Sequence, residues 1–296
     1  MDWASVETIR VFANGISFEV VALGAGDRLA LCLHGFPECA YSWRYQFPVL
    51  ARLGYRVWAP NLRGYGNTDS PRNVADYAID VLVEDVAGLI RASGAKEVVL
   101  IAHDWGGILA WMLAMRHPAL IHRLVICNLP HPACFLRELK RPIQFLRSWY
   151  MLLFQIPLLP EAILGFHQAY GVGRMFLGTT RDRSRFPKEV VDVYRRNACR
   201  PGALTAMIHW YRALLRGGGW RQFAGPTYPK IETPTLFLWG TDDVALSIRT
   251  TYGTEEYVSN LTFRALPGVS HWVQQEAPEA VNSILETWLT GSPVPK

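Results

Sequence analysis

The sequence has no CxxC pair, and its five cysteines, Cys32, Cys39, Cys127, Cys134 and Cys199, are odd in number and scattered. That excludes a dense disulfide framework and the common cysteine zinc sites, and it is the usage expected in a reducing, cytoplasmic compartment. Cys32 and Cys127 stand in apolar runs and read as small buried hydrophobes. No His, Cys, Asp or Glu grouping has metal-ligand spacing, so no metal is expected. Gly24-Ala25-Gly26 is too short for a dinucleotide fingerprint, and no other cofactor is implied. Long apolar runs are missing too: WYMLLFQIPLLP (149–160) is too short to span a bilayer and holds two prolines, so no membrane partner is expected. The first residues, MDWASVETIR, lack the basic and apolar regions of a secretory leader, so secretion is not expected. Internal repeats and low-complexity tracts are also missing. The balance of 30 basic and 25 acidic residues gives +5 and a pI near 9.0. The basic residues form only short groups such as RELKR (137–141) and RDRSR (181–185), which read as solvated faces, so no nucleic-acid partner is expected.

What is present is apolar residues, half of a 296-residue chain. That suffices for one large core, or a core with an inserted lid. VETIRVF (6–12) and ISFEVVA (16–22) flank Ala13-Asn14-Gly15 and predict a hairpin. LALCLHG (29–35), YRVWAPN (55–61), KEVVLIA (96–102) and HRLVICN (122–128) read as strands. SWRYQFPVLARLG, DYAIDVLVEDVAGLIRASG and GGILAWMLAMRHP, which lie between them, read as helices. The alternation predicts a parallel sheet with helices on both faces. It breaks near residue 131. From there to about 222 the pieces are helical: LRELKRPIQFLRSWYMLLF, PKEVVDVYRRNA and PGALTAMIHWYRALLR. The rhythm resumes with TPTLFLWG (233–240), LTFRALPG (261–268) and a final helix, PEAVNSILETWL. The expected organisation is a discontinuous α/β core, 1–131 and 223–296, interrupted by a helical cap, 132–222, near the sheet's carboxyl edge, where such sheets bind ligands.

Ionisable groups fall at three strand ends. Asp104 ends the run VVLIAH and precedes Gly106 and Gly107, a strand–turn–helix elbow that usually displays a serine nucleophile. Asp242 and Asp243 follow LFLWG, and His271 follows the last strand in LPGVSHW. Asp243, in the pattern Gly-x-x-Asp, is the preferred acid partner of His271, with Asp242 the alternative. A carboxylate is ionised at neutral pH and attacks without a base, forming an ester. It suits a strained or activated sp³ carbon, and the histidine is left to activate water against the ester. The ester carbonyl needs an oxyanion hole, for which the backbone N–H groups of Phe36 (in HGFP, 34–37) and Trp105 are candidates. His34 reads as a loop organiser whose neighbour Pro37 is a candidate cis proline, and His103 as a structural neighbour of the nucleophile. Taken alone, Asp104 also fits a helix N-cap.

HGFP, AHDWGG, NLRGYGNTD (61–69), LFLWGTDD and GVSHW, in this order, resemble the epoxide hydrolases of the α/β-hydrolase fold, over almost the whole chain. The resemblance implies an eight-stranded, mostly parallel sheet flanked by helices, with a helical cap. It implies conversion of an apolar or aryl epoxide and water to a vicinal diol, with no cofactor. It also implies two cap tyrosines that hold the epoxide oxygen, Tyr150 in SWYMLLFQIP and Tyr211 in IHWYRALL, with Tyr170 the alternative for the first. Phe36, Trp105 and Trp149 are expected as pocket wall. Asn61 stands where the family often has Asp, a position expected to anchor a loop. A dehalogenase using the same aspartate is the alternative, although Phe36 stands where a halide-holding Asn or Trp is often found. A third reading is a non-catalytic protein of this fold that binds a small hydrophobic ligand. The small molecule and water are the only expected partners, with the chain a monomer or homodimer.

Overall fold

The structure, a computed structural model, describes residues 3–216 and 227–294. Eight strands form one sheet: β1 (Glu7–Ala13), β2 (Ile16–Leu23), β3 (Arg28–Leu33), β4 (Arg56–Pro60), β5 (Glu97–His103), β6 (Arg123–Cys127), β7 (Thr235–Gly240) and β8 (Leu261–Leu266). Their order is β1-β2-β4-β3-β5-β6-β7-β8. β2 runs antiparallel to β1 and β4, and every other pairing is parallel. The hairpin forms as expected, with Asn14 and Gly15 at positive φ in its turn.

β5 explains the two-sided core. Its residues from Val98 to His103 are all buried. Val98, Leu100 and Ala102 join one cluster with Leu82 and Val86 of α2 (Ile79–Ser93) and Leu109 and Leu113 of α3 (Trp105–Arg116). Val99 and Ile101 face the other way, toward Phe47 and Leu50 of α1 (Phe47–Arg52). Alternation with apolar residues on both sides is the signature of a strand covered by helices on each face.

Between β6 and β7 the described residues hold helices and no strand: α4 (Pro132–Leu139), α5 (Pro142–Arg147), α6 (Trp149–Leu153), α7 (Leu159–Thr179), α8 (Lys188–Ala198) and α9 (Ala203–Arg216). The expected boundary at 222 lies outside the described residues. α10 (Val273–Glu276) and α11 (Pro278–Leu289) close the chain against the sheet.

The structure corrects two helical readings and adds a helix. SWRYQFPVLARLG is a 3₁₀ turn (Ala40–Trp43) followed by the short α1, which opens around Pro48, a residue with no N–H to donate. LRELKRPIQFLRSWYMLLF is three short helices, with Pro142 opening the second and Ser148 separating the second from the third. α7 went unread because Gly165, Gly171, Gly173 and Gly178 dilute its helical signal. Its interior is kinked, with Phe166 extended and His167, Gln168 and Ala169 at positive φ. Asn61 does anchor its loop: its side chain accepts from the Ala40 N–H at 2.8 Å and donates to Glu19 at 2.5 Å.

Candidate active site

The parallel strands bring three separated residues to one edge of the sheet. Asp104 follows β5, Asp243 lies three residues past β7, and His271 five past β8. Asp104 has φ 48° and ψ −121°, a sparsely populated conformation for a side-chain-bearing residue. Small neighbours permit it. A Cβ on Gly35 would lie 2.4 Å from Oδ1 of Asp104, and one on Gly106 would lie 2.4 Å from the Leu33 carbonyl oxygen. The two glycines let the HGFP loop and the start of α3 close around the carboxylate. Pro37 is cis. The Phe36 N–H donates to Oδ1 of Asp104 at 2.8 Å. The Trp105 N–H opens α3, where helical N–H groups have no partner within the helix.

His271 stands on the other side of the carboxylate, with Nε2 3.6 Å from Oδ2 of Asp104 and Nδ1 2.6 Å from Oδ2 of Asp243. Asp242 is turned away and pairs with Arg181 at 3.0 Å. Of the two acids, geometry brings only Asp243 to the imidazole. Burial opposes charging of His271, but Asp243 and Asp104 outweigh it and hold the imidazole pKa well above its usual value. Burial likewise opposes ionisation of Asp104 and Asp243, and His271 reverses it, so both carboxyls lie below the usual range. All three directions favour an imidazolium between two carboxylates. His34 differs: burial lowers its pKa to about 4, and its neutral ring accepts from the Leu62 N–H through Nε2 at 3.1 Å, which makes it a loop organiser.

Tyr150 of α6 and Tyr211 of α9 face this carboxylate from the helical segment, their rings 6.0 Å apart. Both line, with Asp104, Trp105 and Met151, a narrow apolar cleft of about 50 Å³. Burial first, and then the Asp104 charge, push both phenols well above the usual tyrosine range, so they remain protonated donors. Neither of two larger surface hollows, of about 480 Å³ beside Arg137 and Tyr257 and about 440 Å³ beside Glu19 and Arg200, is lined by a histidine. Two expected wall residues are corrected. Trp149 is 62% exposed on the outside of α6, because adjacent helix positions point about 100° apart and Tyr150 takes the inward one. The Phe36 ring backs Tyr211 at 5.2 Å and is not among the residues lining the cleft. Tyr170, the alternative to Tyr150, is exposed on α7.

Comparison with known proteins agrees with this geometry. Residues 31–161 match the alpha/beta hydrolase fold family. Epoxide hydrolase 3 of Xenopus tropicalis is 38% identical over 291 residues, covering 95% of this chain and 77% of that protein. The chain belongs to the epoxide hydrolases of the α/β-hydrolase fold. Another relative is AB hydrolase superfamily protein YfhM of Bacillus subtilis (strain 168), 37% identical over 94% of this chain and 96% of that protein. A crystal structure of an epoxide hydrolase from Bacillus megaterium with an inhibitor superposes with a TM-score of 0.88 at 28% identity, covering 95% of this chain and 100% of that one.

In this epoxide hydrolase family member, two supporting residues escaped the sequence reading. Asn128, at φ 42° just past β6, donates to Oδ2 of Asp243 at 2.8 Å and accepts from the Gly240 N–H at 2.8 Å, fixing the acid from below. Its signal was a polar residue ending a strand next to β7. Glu38 is fully buried. Oε2 accepts from the Gly35 N–H at 2.9 Å and meets His103 Nδ1 at 2.8 Å, and Oε1 accepts from Gln274 and Gln275 at 3.0 and 2.7 Å. Burial opposes its ionisation, but His103 holds its carboxyl below the usual range. His103 Nε2 meets the His271 carbonyl at 2.8 Å. Glu38 therefore connects the HGFP loop, the elbow and the backbone of the base. Nothing local in the sequence marks that role, since three of its four partners, His103, Gln274 and Gln275, come from two distant segments.

Proposed function

We propose that this chain hydrolyses an apolar or aryl epoxide to a vicinal diol through a covalent ester on Asp104, beneath a helical cap formed by residues 132–222. One observation carries the reading: a carboxylate with Oδ1 on a backbone N–H, Oδ2 facing the imidazole, and two phenols across the cleft. Oδ2 attacks a ring carbon and the carbon–oxygen bond of the epoxide breaks. The departing oxygen takes a proton from Tyr150 or Tyr211, and the phenol is replenished from the His271 imidazolium. Esterification removes the Asp104 charge, one of the two that hold His271 protonated, so the ring becomes neutral when a base is required. His271 then takes a proton from water, and the hydroxide adds to the Asp104 carbonyl carbon. The Phe36 and Trp105 N–H groups stabilise the oxyanion. Collapse expels the diol and restores the carboxylate and imidazolium. Asp243 orients the ring and balances its charge.

A dehalogenase would use the same aspartate. The paired phenols, together with relatives named as epoxide hydrolases, favour the epoxide. All five cysteines are unpaired, which supports a reducing, cytoplasmic location. No helix among the described residues is long and apolar enough to cross a membrane. Monomer and homodimer are both compatible with the site, which takes every group from one chain. The decisive experiment is turnover in H₂¹⁸O with enzyme in excess, then digestion and mass analysis. The reading expects one heavy oxygen in the Asp104 peptide and unlabelled diol from the first cycle. Heavy oxygen in the diol alone would overturn it.

A further inference from the structure

Among the described residues, 14 large apolar side chains are exposed, and 11 of them lie between residues 143 and 170. They include Leu146 (68%), Leu152 (61%), Leu158 (77%) and Phe166 (72%). Residues 142–173 contain only two charged side chains, Arg147 and Glu161. Both are engaged: Arg147 donates to the Asp243 carbonyl at 3.0 Å, and Glu161 pairs with Arg212 at 2.6 Å. The outer side of α5, α6 and the first half of α7 is therefore an apolar surface with no free charge. It is the reverse side of the cleft's roof, since α6 sends Tyr150 and Met151 inward and Trp149 and Leu152 outward. An uncharged apolar patch of this extent marks an interaction surface.

The charge around the patch identifies what it meets. Lys140 and Arg141 are exposed immediately before it. Arg216 donates to the Gln155 side chain within it, and Arg195 donates to the Gln168 carbonyl at its far end. Residues 132–222 hold 15 of the 30 basic residues but only five of the 25 acidic ones, so this stretch carries +10 and the rest of the chain −5. We propose that this face seats the protein peripherally on an anionic lipid bilayer, with the apolar side chains of 143–166 among the acyl chains and the flanking basic residues at the headgroups. Apolar insertion combined with basic attraction is the physics of interfacial binding, and long basic side chains reach headgroups from a sunken backbone. A second copy fits the same face less well. Pairing two such faces would bring two +10 segments together, whereas an anionic surface is attracted by that charge. The sequence-based expectation of no membrane partner concerned spanning, for which residues 149–160 are too short. Lying on the surface needs no such length.

The inference does not depend on the reaction assigned to the cleft, because its test reads binding without turnover. Purified full-length protein is sedimented with phosphatidylcholine vesicles and with phosphatidylcholine–phosphatidylglycerol vesicles. Binding to the anionic vesicles is expected at least about tenfold above that to neutral ones, and weaker at about 0.5 M salt, where screening is nearly complete beyond a few ångströms. L146E/F166E, two exposed positions outside the cleft, should lose about tenfold or more while keeping the wild-type Tm and circular dichroism. K140E/R141E should lose the preference for anionic lipid. No sedimentation of the wild-type protein with either vesicle overturns the proposal, and so does undiminished binding of a folded L146E/F166E. A dimer in light scattering that L146E/F166E splits, with no vesicle binding, overturns it in favour of a second copy.

Discussion

Replacing the cleft phenols one at a time and together separates the two chemical steps. The Tyr211 ring packs on Phe154 at 4.8 Å, Trp105 at 4.9 Å and Phe36 at 5.2 Å, and phenylalanine keeps those contacts. Tyr150 likewise packs on Phe154 at 5.8 Å. Each substitution therefore removes a hydroxyl and little else. A hydrogen bond to a charged oxygen is worth about 1.5–3 kcal/mol, which is about 10- to 150-fold in rate. Tyr150→Phe and Tyr211→Phe should each slow ester formation by about that factor. The double variant leaves the epoxide oxygen without a donor and should lose about 10³–10⁴-fold, within the range for general acids. The phenols act only on ring opening, so hydrolysis of the ester should keep its wild-type rate, and no ester should accumulate. Stopped-flow fluorescence of Trp105, beside Tyr211, resolves the two phases. Single variants within twofold of wild type in the alkylation phase, or a loss confined to the hydrolytic phase, would refute the assignment of both residues.

Three other outcomes follow from the same geometry. His271→Gln removes the base but leaves Asp104 on the Phe36 N–H, so turnover should fall about 10³-fold while intact-mass measurement finds one substrate equivalent on the protein; an inactive variant with no adduct contradicts the two-step scheme. Glu38→Gln puts an amide NH₂ against buried donors and should lower stability by about 3 kcal/mol, read as a fall in Tm by calorimetry, and an unchanged Tm would show that the network carries no stability. The lowered Asp104 and Asp243 values contribute stability that is present above about pH 4 and lost as pH falls through their native values. The raised His271 value contributes stability that is present below about pH 6.5 and lost as pH rises through its native value. Tm should therefore peak between those limits and fall on both sides, and in His271→Gln the alkaline fall should flatten; an equally steep alkaline fall would assign it to other groups.

The parts of the site legible in the sequence were those fixed locally. Asp104 sits where an apolar run meets two glycines, and His271 where the last strand ends, so period and punctuation located both. Asp243 and Asp242 could be ranked only by a pattern, and the structure separates them by direction: one faces His271 and the other Arg181. Trp149 was misplaced because composition reports that a helix is aromatic, not which side turns inward. α7 was hidden by its glycines, and the end of α4, α5 and α6 were read as one helix because the apolar period continues across the breaks at Pro142 and Ser148. Glu38 was invisible because its importance lies in contacts with residues near 103 and 274, which no short window contains, and Asn128 showed only as a polar residue ending a strand.

The four bonds converging on Glu38 also bear on the order in which the protein matures. Two of its partners, Gln274 and Gln275, and the base itself come from the segment that follows β8. A ribosome-bound chain that has already built strands β1 to β7 still lacks the imidazole that hydrolyses the ester, and half of the partners that hold Glu38 behind the HGFP loop. Full turnover therefore waits on that segment: until it docks, an ester formed on Asp104 has no base to hydrolyse it, and Glu38 lacks two of its four hydrogen-bond partners.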